Sequence, residues 1–240
     1  MDTNEHPENT RTTRRGSLLA VGGLLASGLG VTAWRGSTAE DAEAAGIGPA
    51  AVAAGLVSCI LTPEQTEGPY YVANEKVRRD IRDGHKGALL DLRTTVVDAS
   101  TCRPVKSALV EIWHCDAAGA YSGFGAGASS RTFLRGGQRT DAKGLSRFTT
   151  IYPGWYQGRT VHIHVKVHIG GMVVHTGQLY FNDTVTDAVY RRAPYRSRDG
   201  RTTRNADDSI FRNGGSRSQV RLAKDGKGGY VATIAMGINR

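Results

Sequence analysis

Residues 159–181 constrain the fold more than any other stretch. They read RTVHIHVKVHI, then Gly170-Gly171, then MVVHTGQLYF. In the first run, period-two alternation places Val161, Ile163, Val165 and Val167 on one face of an extended chain. His162, His164, Lys166 and His168 fall on the other. Two glycines between β-branched runs are a tight hairpin signal. Such a hairpin must bury its apolar face against further strands, and the chain supplies them. ALLDLRTTVVD (88–98), SALVEIWHCDA (107–117), LSRFTTIYP (145–153) and GYVATIAMGI (229–238) are short β-like runs separated by turns such as DAKG and DGKGG. Helical periodicity is confined to TDAVYRR (186–192). Short strands, glycine turns and no alternation of strand with helix predict an all-β chain, a β-sandwich with long loops and little helix. Residues 196–217, polar and charged, read as a long surface loop.

The N-terminal stretch carries a different signal. TRRGSLL (13–19) runs into the apolar, glycine-containing LLAVGGLLASGLGVTAW. A twin-arginine pair before such a run predicts a Tat export signal over residues 1–44, a linker over 45–58 and the folded domain over 59–240. The expected location is secreted, with no stable membrane span after processing. The alternative is a membrane anchor through an uncleaved signal, because the apolar run is about the minimum length for a span. In an oxidising compartment, Cys59, Cys102 and Cys115 give one disulfide and one free thiol. Cys115 lies in a strand-like run, so Cys59–Cys102 is the expected pair. The net charge of +9 reads as a solubilising surface. No basic helix or nucleic-acid motif accompanies it, so nucleic acid is not an expected partner.

Two imidazoles at His162 and His164 can serve one metal ion or simply decorate a solvated strand face. His168 lies nearer the turn and outside any such site. Lys166, on the same face, would repel a cation if it pointed inward. Tyr121, in EIWHCDAAGAYSGF, and Tyr156, in PGWYQGR, sit at glycine-flanked strand ends. A phenol ionises near pH 10, so a tyrosinate ligand at neutral pH needs a strong Lewis acid beside it. Two nitrogens with two anionic oxygens would suit ferric iron better than zinc or copper(I). Spacing alone does not select these two among nine tyrosines.

Taken together, TPEQTEGPYY (62–71), VEIWHCDAAGAYSGF (110–124), RTDAKGLSRFTTIYPGWY (139–156), GRTVHIHVKV (158–167) and GQLYF (177–181) resemble an intradiol ring-cleavage dioxygenase. The resemblance is to the protocatechuate 3,4-dioxygenase-like, exported actinobacterial type. It implies that family's β-sandwich and one non-haem Fe(III) per chain, held by Tyr121, Tyr156, His162 and His164. It also implies catechol-type substrates cleaved by O2 between the hydroxylated carbons, giving cis,cis-muconate-type products. Tyr156 becomes the ligand that departs when substrate binds. Arg159 would stabilise negative charge on the ring, and Gln178 would hydrogen-bond near the reacting carbon. Gly68, Pro69 and Tyr70 would close over the ring, with Trp155 as a further wall. His114 reads as a structural histidine. By analogy with the family, a homodimer is the expected assembly. The rival readings are a noncatalytic secreted β-sandwich that binds aromatics or cell-wall material, and a copper–zinc superoxide dismutase-like protein.

Overall fold

The computed structural model describes residues 59–73, 76–125 and 127–240. The expected signal and linker lie outside them. Among the described residues, eight strands form two four-stranded sheets. They are β1 (Leu89–Asp98), β2 (Leu109–Trp113), β3 (Arg135–Arg139), β4 (Leu145–Ile151), β5 (His162–Ile169), β6 (Met172–Tyr180), β7 (Arg221–Lys224) and β8 (Tyr230–Ile238). One sheet has the order β4-β1-β8-β7 and the other β3-β2-β5-β6. All strand pairs are antiparallel except β1 with β8, which run parallel. The all-β sandwich expected from the alternation is the fold observed.

Period two explains the core. Leu90, Leu92 and Val96 of β1 point inward, and so do Val110 and Ile112 of β2 and Ile163, Val165 and Val167 of β5. Fully burying one such side chain stabilises the fold by about 1.5–3 kcal/mol. Polar core positions occur in matched pairs. Thr94 and Ser146 lie opposite each other on β1 and β4 and share a buried 2.7 Å hydrogen bond. The second sheet also buries its outer face. Trp113, His162, His164 and Gln178 are at most 2% exposed there, because the segment before β1 and the loops after β2 and β4 cover them.

Among the described residues helix is scarce, as expected. Helix α1 (Asp183–Tyr190) is N-capped by Asn182, whose side chain accepts from the amides of Thr184 and Val185. Helix α2 (Ser209–Arg212) is a single turn capped by Asp208. The expected surface loop over 196–217 needs correcting. It folds into α2 and short 3-10 turns, and it buries Thr203, Asn205 and Asp208. Arg159 and Thr160, just ahead of β5, and the Phe181 carbonyl, just after β6, supply the hydrogen bonds that hold Asp208 and Asn205 inside. Cys59 is bonded to Cys102, and Cys115 is a buried free thiol. Among the described residues, no helix is long and apolar enough to cross a membrane.

Candidate metal centre

Strand β5 sets the two histidines side by side on the outer face of its sheet. His162 Nδ1 lies 2.7 Å from the Thr160 carbonyl. A carbonyl only accepts, so Nδ1 carries the proton and Nε2 presents its lone pair to the cluster. The two Nε2 atoms of His162 and His164 are 3.0 Å apart, and Tyr156 Oη is 3.2 Å from His162 Nε2. The Tyr121 ring lies 5.8 Å from that of Tyr156 and 6.1 Å from that of His164. Trp113 stacks flat on His164 at 4.9 Å and fixes its plane. The four side chains expected to act together do converge.

The loops carrying the tyrosines are locked to each other. Gly154 donates its amide to the Asp116 carbonyl at 3.2 Å. A Cβ at position 154 would stand only 2.2 Å from that oxygen, so only glycine permits this approach. The contact ties the loop after β2, which bears Tyr121, to the loop after β4, which bears Tyr156.

The electrostatics of the metal-free residues fit a cation. Burial, reinforced by Arg159, depresses the His162 pKa to about 3. Burial and then His162 and Arg159 push His164 well below the ordinary value. Both imidazoles are therefore neutral, the form that binds metals. Burial raises the Tyr121 phenol well above its usual range, and it raises Tyr156 to about 12 against the pull of Arg159. Tyr121 Oη and His164 Nδ1 are buried without a hydrogen-bond partner. Buried polar atoms are rarely left so, and a hard cation among these donors would ionise the phenols and satisfy Tyr121. Two nitrogens each about 2.1 Å from one ion, at right angles, lie about 3.0 Å apart, which matches the histidine pair. Among the described residues, no group of three or more His, Cys, Asp or Glu offers another metal site.

Arg159 is held beside the cluster. Its Nε donates to Asp208 Oδ2 at 2.9 Å, and a terminal nitrogen donates to Gln178 Oε1 at 2.5 Å. The same Asp208 oxygen accepts the Thr160 amide at 2.8 Å. Burial opposes the charge of Arg159, but Tyr156 and Asp208 outweigh it and hold its pKa above the ordinary value. Gln178 Nε2 donates to the Thr66 carbonyl at 3.0 Å, so Gln178 links Arg159 to the covering segment.

Within that segment, Gly68 adopts φ +72°, and a Cβ there would lie 3.2 Å from His164 Cε1. Tyr70 stacks on Tyr121 at 4.2 Å, while Pro69 is exposed. Trp155 is placed differently from the others. Its ring lies 4.2 Å beneath the Arg198 guanidinium, and its side chain packs against the sandwich core. Lys166 points away from the ligands and pairs with Glu67. His168 lies 2.7 Å from Glu111. His114 is buried and satisfied by the Cys115 carbonyl and the Thr150 hydroxyl.

Sequence reasoning missed Asp208 and Trp113. The pattern Asp-Ser-Ile-Phe-Arg carries an N-cap signal at Asp208. Nothing local, however, connects it to an arginine 49 residues away.

The chain is similar in sequence and fold to known proteins. The family model described as a dioxygenase matches residues 66–190. Catechol 1,2-dioxygenase 2 of Acinetobacter lwoffii is 36% identical over 151 residues, covering 58% of this chain and 49% of that protein. The chain thus spans about half the length of this relative. An intradiol ring-cleavage dioxygenase from Tetranychus urticae superposes with a TM-score of 0.71 at 33% identity, covering 75% of this chain and 95% of that one. The dioxygenase domain of a dioxygenase carbohydrate-binding protein fusion from Streptomyces sp. SirexAA-E matches at 30% identity and a TM-score of 0.57, covering 74% and 97%. With two histidines and two tyrosines converging on one point of the matching fold, the chain belongs to the intradiol ring-cleavage dioxygenase family.

Proposed function

We propose that the protein is a non-haem Fe(III) dioxygenase that cleaves catechol-type aromatics between the hydroxylated carbons, giving cis,cis-muconate-type products. The observation that carries this reading is the convergence of Tyr121, Tyr156, His162 and His164 on one buried point. These four residues would hold the iron. A bound ferric ion would supply Lewis acidity there, activating the catecholate ring toward O2.

The chain's own residues do the rest. Tyr156 is the more accessible phenol of the pair, and its Oη would be the base that takes one catechol proton. The Arg159 guanidinium, fixed by Asp208 and Gln178 and largely buried, would face the developing negative charge. Gly68 leaves room for the backbone to approach a flat ring beside His164. Tyr70, stacked on Tyr121, forms an aromatic wall. The Cys59–Cys102 bond supports work in an oxidising compartment. With the twin-arginine stretch, it supports export.

The test is an absorption spectrum of iron-loaded protein, taken before and after anaerobic addition of catechol. Tyrosinate-to-iron charge transfer should give a broad visible band that moves to longer wavelength with catechol and bleaches when air enters. A protein that takes up no iron after careful loading and stays colourless overturns the reading.

A further inference from the structure

Glu111 on β2 and Lys166 on β5 are directly opposite in antiparallel register. Opposite charges so placed normally pair across the strands. Among the described residues, no ion pair joins them. Glu111 Oε2 instead accepts the Tyr71 hydroxyl at 3.1 Å and lies 2.7 Å from His168 Nε2. The Lys166 ammonium reaches outward to the Glu67 carboxylate and lies 3.5 Å from the centroid of the Tyr71 ring. Its side chain is 6% exposed, whereas that of Glu67 is 41% exposed.

A buried ammonium is costly unless a counter-charge compensates it. Here the compensation comes from outside the sheet, from the segment that covers the metal centre. That segment is attached to the site almost residue by residue. Thr66 is bonded to Gln178, Gly68 lies against His164, and Tyr70 stacks on Tyr121. Tyr71 packs against Trp113, the ring that stacks on His164. The Glu67–Lys166 pair is the charged attachment between Thr66 and Gly68. If the segment lifts, Lys166 loses its carboxylate and its aromatic partner together, so the closed position and the burial of Lys166 depend on each other.

We propose that Lys166 is a positioning residue, which with Glu67 and Tyr71 clasps residues 66–71 against His164 and so fixes the wall on which a catechol ring is seated. The proposal rests on the reading of the site as a catechol-binding metal centre. Without the clasp, substrate must order the segment as it binds, so affinity falls while the ligand set on β5 stays in place.

The experiment uses the full-length iron-loaded protein with Glu67→Gln, Lys166→Met, the double variant and Lys166→Arg. Catechol affinity is read anaerobically from the shift of the visible band. Each single variant should weaken Kd about 10-fold, and the double variant no further, because the two residues act through one contact. The resting band should not move, and Lys166→Arg should recover to within about 3-fold of the parent, since it keeps the charge. Amide exchange of residues 66–71 should quicken in Glu67→Gln, whose half-exposed position makes misfolding a poor explanation. A merely structural clasp would lower thermal stability and leave Kd alone. Wild-type Kd in Glu67→Gln, or additive losses in the double variant, overturns the proposal. If the parent protein never develops the visible band, the metal-centre reading itself fails. Exchange in the metal-free protein then decides the clasp separately, and unchanged rates in Glu67→Gln overturn it.

Discussion

At the scale of single residues, the Tyr121 hydroxyl is the most informative atom in the molecule. It is buried in a cluster with Trp113 and Cys115, and no hydrogen bond satisfies it. Such a group destabilises a fold unless something else uses it. Tyr121→Phe should therefore leave the metal-free protein as stable as the parent, or more stable by about 1 kcal/mol. The same change should cost the protein most of its iron, and any iron retained should show a weaker, shifted band from Tyr156 alone. A urea titration and an iron assay on one preparation check both halves. A residue kept for packing alone would keep both its stability and its iron, since phenylalanine preserves the ring. The paired imidazoles were visible in the sequence because His-x-His on a strand can only place both rings on one face. The tyrosines were not visible from spacing, since each reaches the site from a loop whose path depends on the Gly154–Asp116 contact. Only the family resemblance singled them out.

At the scale of elements, the short helix α2 shows how a polar stretch becomes part of a site. Asp208 caps α2 with one carboxylate oxygen and holds Arg159 and the Thr160 amide with the other. Asp208→Asn removes the counter-charge of a largely buried arginine and should cost about 3 kcal/mol. It should also lower kcat about 10- to 100-fold, because Arg159 loses its fixed direction. Denaturant melts and steady-state kinetics of the variant test the two effects. The segment ahead of β1 is tied at its other end by the Cys59–Cys102 bond, which spans 43 residues. Removing that bond, as Cys59→Ser with Cys102→Ser, should cost about 2–4 kcal/mol on chain-entropy grounds. The denaturation midpoint measured with and without reductant checks it. Strands β1, β5 and β6 were legible because their alternation is long. Strand β3, RGGQR, was not. Its glycines carry no hydrophobic signal, yet they let Ile81 and Leu109 approach the strand backbone. Strand β7 is a four-residue edge, mostly exposed, and too short for a period to show.

At the scale of the whole molecule, acid is the expected weakness. Burial lowers the pKa of His114 to about 4, and likewise that of His175. Each binds its proton more readily when unfolded, where the ordinary value near 6.5 applies. Their neutral forms are therefore fully accommodated above about pH 6.5, and stability falls as pH drops from there to about 4. Each group adds a slope of about 1.4 kcal/mol per pH unit within that window. His175→Asn should remove one such increment from the slope, measured as urea stability of the metal-free protein at several pH values. His114 read as a structural histidine in the sequence, but the burial of His175 did not show there, because burial of a polar side chain is set by tertiary packing.

The order of the first sheet has a further consequence, one of timing. Its final strand in the chain, β8, lies inside the sheet, flanked by β1 in parallel and β7 in antiparallel pairing. While the ribosome is still making the chain, β1 can find β4 but not its other neighbour. That flank of β1 stays open until residues 230–238 emerge. Synthesis adds about 5–20 residues per second, so the half-built sandwich spends seconds with a long unpaired strand flank. Closure is thus a late event, and it coincides with arrival of the last strand rather than with completion of the metal-binding hairpin.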